Sequence, residues 1–277
     1  MRGFAVLSHN IMNGRNLKQL LPLYVRHARR LERFGGLGVF CIQENVKSGA
    51  LDAADRVANA LRRHGGGQRW AVARSATEPR LATLYDARRF RRSLTRAIRL
   101  PVLASLSPLE KTYIRGGVPE VKYAQATVLE PRCGTRPLCV LNVHLDAAGD
   151  NAHRAAQLAA AAAEVGRRPR RVIAAGDTNC FDLSRRRQEA ALEAILEPLR
   201  ARGVRDAHAS APEDTHWFAR TTESGLGHRA ARALGRLGLD APRRYDVIAA
   251  DARPVAAGYL ATPHSDHDAT WAAFRYA

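Results

Sequence analysis

Apolar positions along this chain fall into short runs broken by polar or small residues. Nine of the runs have the length and character of strands: FAVLSH, GVFCIQ, RWAVAR, LATLYD, KYAQATVLE, LCVLNVHL, RVIAAGD, YDVIAA and DATWAAF. Three other stretches repeat at helical spacing. In LDAADRVANALRRH, the residues Leu51, Ala54, Val57, Ala58 and Leu61 share one face. DNAHRAAQLAAAAAEVG is alanine-rich and reaches a stop at Gly166. SRRRQEAALEAILEPLRARG is expected to start after Ser184 as N-cap and to end near Gly203. Strands and helices mix from end to end, which predicts an α/β or α+β fold. SPLEKTYIRGGVPE and TTESGLGHRAARALGRLGLDAPRR read as loops or insertions, the second with a short helix. Neither has the composition of an interdomain linker and no internal repeat is present, so residues 1–277 are expected to form a single domain.

Composition adds little to this picture. Of 277 residues, 46% are apolar and 25% charged, as in an ordinary globular chain large enough to bury a core without disulfides. Cys41, Cys133, Cys139 and Cys180 have neither a CxxC pair nor zinc spacing and read as free, mostly buried thiols. No run of eighteen apolar residues occurs, so no membrane insertion is expected. The opening MRGFAVLSHNIMNG is too short and too soon interrupted for a signal peptide, which makes a cytoplasmic address the default expectation.

Charge changes the picture more. The net charge is +18, from 44 basic and 26 acidic residues. Such a surface attracts polyanions, nucleic acid first among them. Only four of the cations are lysines (Lys18, Lys47, Lys111 and Lys122); the remaining forty are arginines in an alanine-rich chain, which drift toward GC-rich codons also produces. The run DARRFRRSLTRAIR reads equally as a track for a phosphate backbone or as a solvated strand-and-loop face.

The polar residues that end the apolar runs carry the candidate chemistry. Asn10 follows FAVLSH, and Gln43 and Glu44 follow GVFCI. Asn142 and His144 interrupt LCVLNVHL, Asp177 and Asn179 follow RVIAAG, and Asp246 opens DVIAA. Ser265, Asp266 and His267 precede DATWAAF. Singly, each has an ordinary explanation: a turn residue, a solvated carboxylate, a core histidine, an Asx turn. Jointly, six distant runs each place a carboxylate, carboxamide or imidazole near one end, where a rigid sheet aims side chains into one cleft.

The ordered set HNIMNG, CIQEN, LNVHLD, GDTN, YDVI and SDH resembles the endonuclease/exonuclease/phosphatase superfamily over nearly the whole chain, from Asn10 to His267. The resemblance implies a four-layer α/β/β/α sandwich of two packed mixed sheets with flanking helices, and a cleft at one edge. His9 stands where the family often has an aromatic, and GDTN replaces the commoner GDFN. That variant, and HLDAAGDNAHRAAQL with its Arg and Gln on a helix, resembles the tyrosyl-DNA phosphodiesterase branch; DTHWF is similar to a Thr-aromatic pair of several DNA-processing members.

The implied chemistry is phosphodiester hydrolysis with a divalent cation. Glu44 is the best candidate ligand, with Asn10 beside it and Asp266 as a further carboxylate; these hard oxygen donors suit Mg²⁺ or Mn²⁺. By resemblance, Asp177 orients and deprotonates the attacking water, helped by Asn179. His267 binds the phosphate, Asp246 fixes its tautomer, and His144 donates to the phosphate or to the leaving oxygen. Arg115 and Trp217 are candidate substrate contacts, Trp217 by stacking on a base. His208, His216, His228 and His264 have no metal-ligand spacing and are expected in surface or loop roles. The expected function is a metal-dependent nuclease or DNA-end-processing hydrolase, a monomer with nucleic acid, DNA first, as partner. A phosphatase or phospholipase-C-like hydrolase of inositol phosphates or phospholipids is the alternative, and a non-catalytic nucleic-acid-binding protein the third reading.

Overall fold

The computed structural model describes residues 3–48, 50–64, 68–133, 136–165, 171–182, 184–217, 220, 226–237 and 244–275. Strand β1 (Gly3–Asn10) leads into helix α1 (Leu17–Arg30) and β2 (Leu37–Gln43). The two-residue strands β3 (Lys47–Ser48) and β4 (Leu51–Asp52) precede α2 (Ala53–His64). Then come β5 (Trp70–Arg74), β6 (Ala82–Asp86), β7 (Phe90–Arg99), α3 (Glu110–Tyr113), β8 (Tyr123–Pro131), β9 (Leu138–His144) and α4 (Asn151–Ala163). The chain continues through β10 (Arg171–Asp177), α5 (Arg185–Arg200), β11 (Arg205–Asp206), α6 (Leu226–Arg236), β12 (Asp246–Ala250), β13 (Ala256–Leu260) and β14 (Ala269–Arg275).

Two six-stranded sheets result, in the orders β13-β14-β1-β2-β6-β5 and β11-β12-β10-β9-β8-β7. Each has one parallel pair, β1–β2 and β9–β10, and every other neighbour within the two sheets runs antiparallel. Three apolar cores separate four layers. Phe4, Val6, Val39, Val140, Ile173 and Ile248 fill the space between the sheets. Leu20, Tyr24, Val57 and Leu61 pack α1 and α2 on the outer face of the first sheet, and Leu158, Leu192, Ile195 and Leu199 pack α4 and α5 on the outer face of the second. The central strands are buried on both faces and therefore read as continuous apolar runs rather than alternating ones. This is the α/β/β/α sandwich expected from the sequence.

Helix starts follow their caps. The Asp150 side chain accepts from the His153 backbone N–H, and Ser184 from that of Arg187, so each satisfies one of the donors a helix start leaves open. The stop expected at Gly166 lies outside the described residues, and α4 ends at Ala163. Besides the two-residue strands and the four-residue α3, three elements escape the sequence pattern. In α1, Pro22 and a string of basic residues mask a stripe of Leu17, Leu20, Tyr24 and Ala28, all buried. Strand β13 is a half-buried edge of small residues with little apolar signal. Strand β7 takes up most of the basic run, as the edge of the second sheet. There Arg91 pairs with Glu130 and Arg96 with Glu164, while Arg89, in the preceding turn, pairs with Asp86, so these three arginines fasten the strand and its turn.

No helix among the described residues is long and apolar enough to cross a membrane. Cys41, Cys139 and Cys180 are buried free thiols and Cys133 is an exposed one; burial pushes Cys41 and Cys180 up to about 12, where they stay protonated and unreactive.

Candidate active site

Both parallel pairs end at the same edge of the sandwich. Asn10 closes β1 opposite Gln43, and Glu44 follows at once. Across the sheet gap, His144 closes β9 and Asp177 closes β10, paired in register with each other, while Asp177 also faces Asp246 of β12. Beneath this rim lies a buried amide layer that joins the sheets. The Gln43 Nε2 donates to Asn142 Oδ1 at 2.7 Å and to Ser8 Oγ at 3.2 Å, and Asn142 donates to the carbonyls of Ile42 and Ala82. These bonds lie one and two residues from Glu44 and His144 and hold the strand ends in fixed relation.

The close approach demands a particular backbone. Gly176 has φ +145°, and a Cβ there would meet the Val143 carbonyl oxygen at 1.9 Å, so only glycine lets β10 run against β9 just before Asp177. Glu44 (φ +58°) and Asn179 (φ +48°) sit in the left-handed region that branched and bulky residues avoid. Asn179 is held there by an Asx turn, its N–H donating to Asp177 Oδ1 at 2.8 Å, and its side-chain amide donates to the Leu145 carbonyl at 2.9 Å.

Asn10 joins the two sheets' acids. Its Nδ2 donates to Glu44 Oε1 at 3.1 Å and to Asp177 Oδ2 at 3.0 Å. Its oxygen accepts from the Met12 N–H at 3.1 Å. Asn10 thus uses its amide hydrogens to hold the two carboxylates and one lone pair of its oxygen to accept from the backbone. His144 Nε2 lies 3.7 Å from Asp177 Oδ2 and 4.0 Å from Glu44 Oε1, and His267 Nε2 lies 3.6 Å from Asp177 Oδ2. His267 Nδ1 meets Asp246 Oδ2 at 2.7 Å. Asn10, Glu44, His144, Asp177, Asn179, Asp246 and His267 thus converge at one sheet edge. Asp266 is buried beside them, its carbonyl accepting from Trp217 N at 2.7 Å and its charge acting on His267. Among the described residues no group of three or more His, Cys, Asp or Glu side chains is arranged to hold a metal ion.

Burial and pairing set the charges. Burial pushes the two histidines down, but for His267 the carboxylates of Asp246 and Asp177 outweigh it and raise its pKa well above the usual value. For His144, burial and the nearby cations Lys122, His267 and Arg80 outweigh the pull of Asp177, and its pKa falls to about 3, so it is neutral at pH 7. Asp177 is held below the usual carboxylate range: burial opposes ionisation, and His267, His144 and the Asn10 amide overcome it. Burial lifts Asp246 to about 6. One imidazolium, one neutral imidazole and ionised carboxylates therefore share the cleft.

Supports behind these groups were only partly visible in the sequence. Thr215 Oγ1 accepts from the backbone N–H groups of Tyr245 and Asp246 at 3.0 Å each, fixing the start of β12. His9 Nε2 donates to the His267 carbonyl at 3.0 Å, and its Nδ1 accepts from the Tyr24 hydroxyl. Arg154 donates to the carbonyls of Asp146 and Ala147, and Gln157 to Asp146 Oδ2, bracing the turn after His144. His208 and His216 lie in a turn and a loop, as expected, but neither is at the surface: both are buried. His216 stacks on Tyr245 and meets the His267 ring edge-on at 4.7 Å, a contact that only its place between Thr215 and Trp217 hinted at. His208 bonds the Gly258 and Trp271 carbonyls, joining its turn to β13 and β14. His264 is exposed, and the side chain of His228 lies outside the described residues.

Trp217 is half-buried. Its indole N–H donates to Asp268 Oδ2 at 3.0 Å, and the Arg220 guanidinium lies 4.9 Å over its ring. Arg115 lies in a short 3₁₀ turn with Gly116 and Gly117, and its side chain is outside the described residues.

Comparison with solved structures finds the same fold across the whole chain. An endonuclease/exonuclease/phosphatase family protein from Leptotrichia buccalis superposes with a TM-score of 0.62 at 11% identity, covering 99% of this chain and 100% of that one. The endonuclease/exonuclease/phosphatase from Bacteroides vulgatus gives 0.59 at 16% identity, covering 100% of both. TDP2 from D. rerio, solved in complex with a single-strand DNA product, gives 0.58 at 14% identity, covering 99% of both. No family model matches the sequence, and no curated protein matches it. The chain shares the fold of these proteins.

Proposed function

We propose that this chain is a divalent-metal-dependent phosphodiesterase that cleaves nucleic acid, DNA first, by in-line attack of water. The reading rests on one observation above the others: Asp177 lies within 3.0–3.7 Å of Asn10, His144 and His267, delivered by four separate segments. That cluster combines a fixed anion, a cation and neutral hydrogen-bond donors, the set that a phosphoryl group and an attacking water require. The shared fold with proteins of phosphoester chemistry, one of them solved with a DNA product, supports it.

The donor set fits a hard cation. Glu44 is partly open to solvent, its side chain 20% exposed. Mg²⁺ is held by one or two carboxylates, takes further oxygens from substrate phosphate and keeps several waters, so Glu44, with Asp266 as a second carboxylate, would hold it without a closed cage. The bound cation would neutralise phosphate oxygens and make phosphorus more electrophilic.

The residues then divide the work. Asp177, ionised and hydrogen-bonded by Asn10, orients the attacking water and receives its proton; at so low a basicity, positioning supplies much of the effect. Asn179 lines the same side. His267, held as a cation by Asp246, balances charge as phosphorus becomes five-coordinate. His144 is neutral and has a single N–H to give, so it serves as a hydrogen-bond donor to a phosphate oxygen rather than as a strong acid.

A panel of labelled single-stranded and duplex DNA, RNA, 5′-tyrosyl-DNA and inositol phosphates, incubated with Mg²⁺, with Mn²⁺ or with chelator, tests this. Metal-dependent cleavage of DNA, absent in Asp177→Ala and weakening steeply with salt, is the expected result. Cleavage of inositol phosphates alone would move the chain to the phosphatase alternative. Inactivity on every substrate with both metals would overturn the reading.

A further inference from the structure

On the face of the first sheet turned away from the second, α1 and α2 enclose a groove of about 700 Å³. From α1 come Lys18, Leu21, Pro22, Val25, Arg26 and Arg29, a single stripe at steps of three and one. From α2 come Arg56, Asn59, Ala60 and Arg63, spaced the same way, and His64 at its end. Eleven residue steps along α1 make the stripe about 16 Å long at 1.5 Å per residue.

Floor and rim differ. Leu21, Val25 and Ala60, with Leu51 of β4, make an apolar floor, while Lys18, Arg26, Arg29, Arg56 and Arg63 stand around it. No acidic residue lines the groove. Helix α1 contains none, and the nearby Asp52 and Asp55 are turned to Arg74 at 3.1 and 2.8 Å. Among the described residues, Lys18, Arg26, Arg29 and Arg63 make no ion pair. Arg29 Nε donates to the His64 carbonyl at 3.0 Å and so ties the two helices across the groove.

We infer that this groove docks an acidic amphipathic helix from a partner protein. The stripe is about three helical turns long, and its apolar centre, Leu21 and Val25 of α1 with Ala60 and Leu51 opposite, matches one pair of leucine-type anchors at i and i+4, while the cationic rim to either side matches flanking carboxylates. Nucleic acid fits less well: its phosphates would meet the rim but leave the apolar floor uncovered, and no Phe, Tyr or Trp lines the groove to stack a base. The groove shares no residue with the cleft, so this inference stands apart from the proposed catalysis.

The test titrates the full chain into a fluorescein-labelled, helix-forming peptide of leucines at every third or fourth position and glutamates between. A scrambled peptide of the same composition, single-stranded DNA and duplex DNA run beside it. Saturable binding on the order of 10 μM is expected, falling with salt and at least about tenfold weaker for the scrambled peptide. The double variant R26E/R63E, both positions exposed, is expected to keep its melting temperature, lose peptide affinity by at least about tenfold and leave DNA affinity within about threefold. The salt titration and the scrambled peptide use the unaltered chain and so do not depend on that variant folding. Equal affinity for the scrambled peptide, or no saturable peptide binding up to about 1 mM, overturns the inference. So does a variant that loses DNA binding and keeps peptide binding, which would make the groove a nucleic-acid surface.

Discussion

The parallel pair β1–β2 ends at Asn10 and Gln43, with Glu44 next in the chain, and the parallel pair β9–β10 ends at His144 and Asp177. The two ends face each other across the sheet gap, in different surroundings. The Glu44 side chain is 20% exposed and carried on a left-handed residue at the start of a loop. The Asp177 side chain is 1% exposed, its neighbour Asp246 is fully buried, and His267 is 5% exposed. An open carboxylate exchanges ligands with solvent readily. A dry one interacts strongly with the imidazolium beside it, because the effective dielectric is low. The second sheet thus supplies the buried carboxylates of the cleft, His267 comes from the segment leading into β14 of the first sheet, and Glu44 is the open side that, on the proposed function, a cation and its waters would reach.

That contrast breaks most visibly at Asp177. Asp177→Asn is expected to lower kcat by about 10⁴-fold, with the fold intact and no recovery at any Mg²⁺ concentration. Glu44→Gln is expected to cost less, about 10²–10³-fold at low metal, and to recover in part as Mg²⁺ is raised, since waters and phosphate supply most of the ligands. Measuring kcat against metal concentration for both variants separates the two sides. Identical metal curves would erase the distinction.

Asp246 sharpens the comparison within the buried side. It touches the reacting groups only through His267, so its loss is a positioning and charge effect of about 10–100-fold. Asp246 is the main reason the His267 pKa is raised despite burial. In Asp246→Asn the imidazolium therefore deprotonates at lower pH, and the alkaline limb of the pH–rate profile moves toward neutrality. A lower rate with an unmoved limb would show that Asp246 only orients the ring.

How much of this was legible follows from where each signal lies. GDTN and YDVI were readable because Asp177 ends one apolar strand and Asp246 opens another, and because four further runs carry polar residues at their ends in the same way. The supporting groups were hidden for the opposite reason. His216 lies in a segment with no periodicity and meets His267 through an isolated bridge. Gln43 and Asn142 stood out as polar interruptions, but only the packing of one sheet on the other makes them partners. Helix α1 was obscured by Pro22 and its basic residues, although tertiary packing of four apolar positions is enough to hold it. Long-range pairing decides the first two and tertiary override of local propensity the third; neither is written in a window of one sequence.

The smallest expected effect separates the two outer helical layers by acid stability; His144, lowered to about 3 at the end of β9, acts on the cleft side of the second sheet rather than on α4 and α5. The first sheet's outer core holds His27 on α1, and His9 lies beside α1 against Tyr24; burial lowers each to about 4. Both folded values lie below the ordinary 6.5, so between pH 6.5 and 4 the unfolded chain binds more protons and stability falls as pH falls. At pH 5 this amounts to about 2 kcal/mol for each ring. Neither His27 ring nitrogen has a hydrogen-bond partner among the described residues, and the ring packs edge-on against Trp271 at 5.7 Å. Replacing it with Phe keeps the packing and removes the titration. His27→Phe is therefore expected to match or exceed the wild-type urea midpoint at pH 7 and to gain about 2 kcal/mol over it at pH 5. Asp246, whose raised value acts with the opposite sign, is present in both proteins and cancels in the difference. Hydrogen exchange at pH 5 should show α1 and α2 opening before α4 and α5 in the wild type, with the gap narrowed in the variant. Equal acid sensitivity of the two helical layers, unchanged by His27→Phe, would show that these layers do not differ in this way.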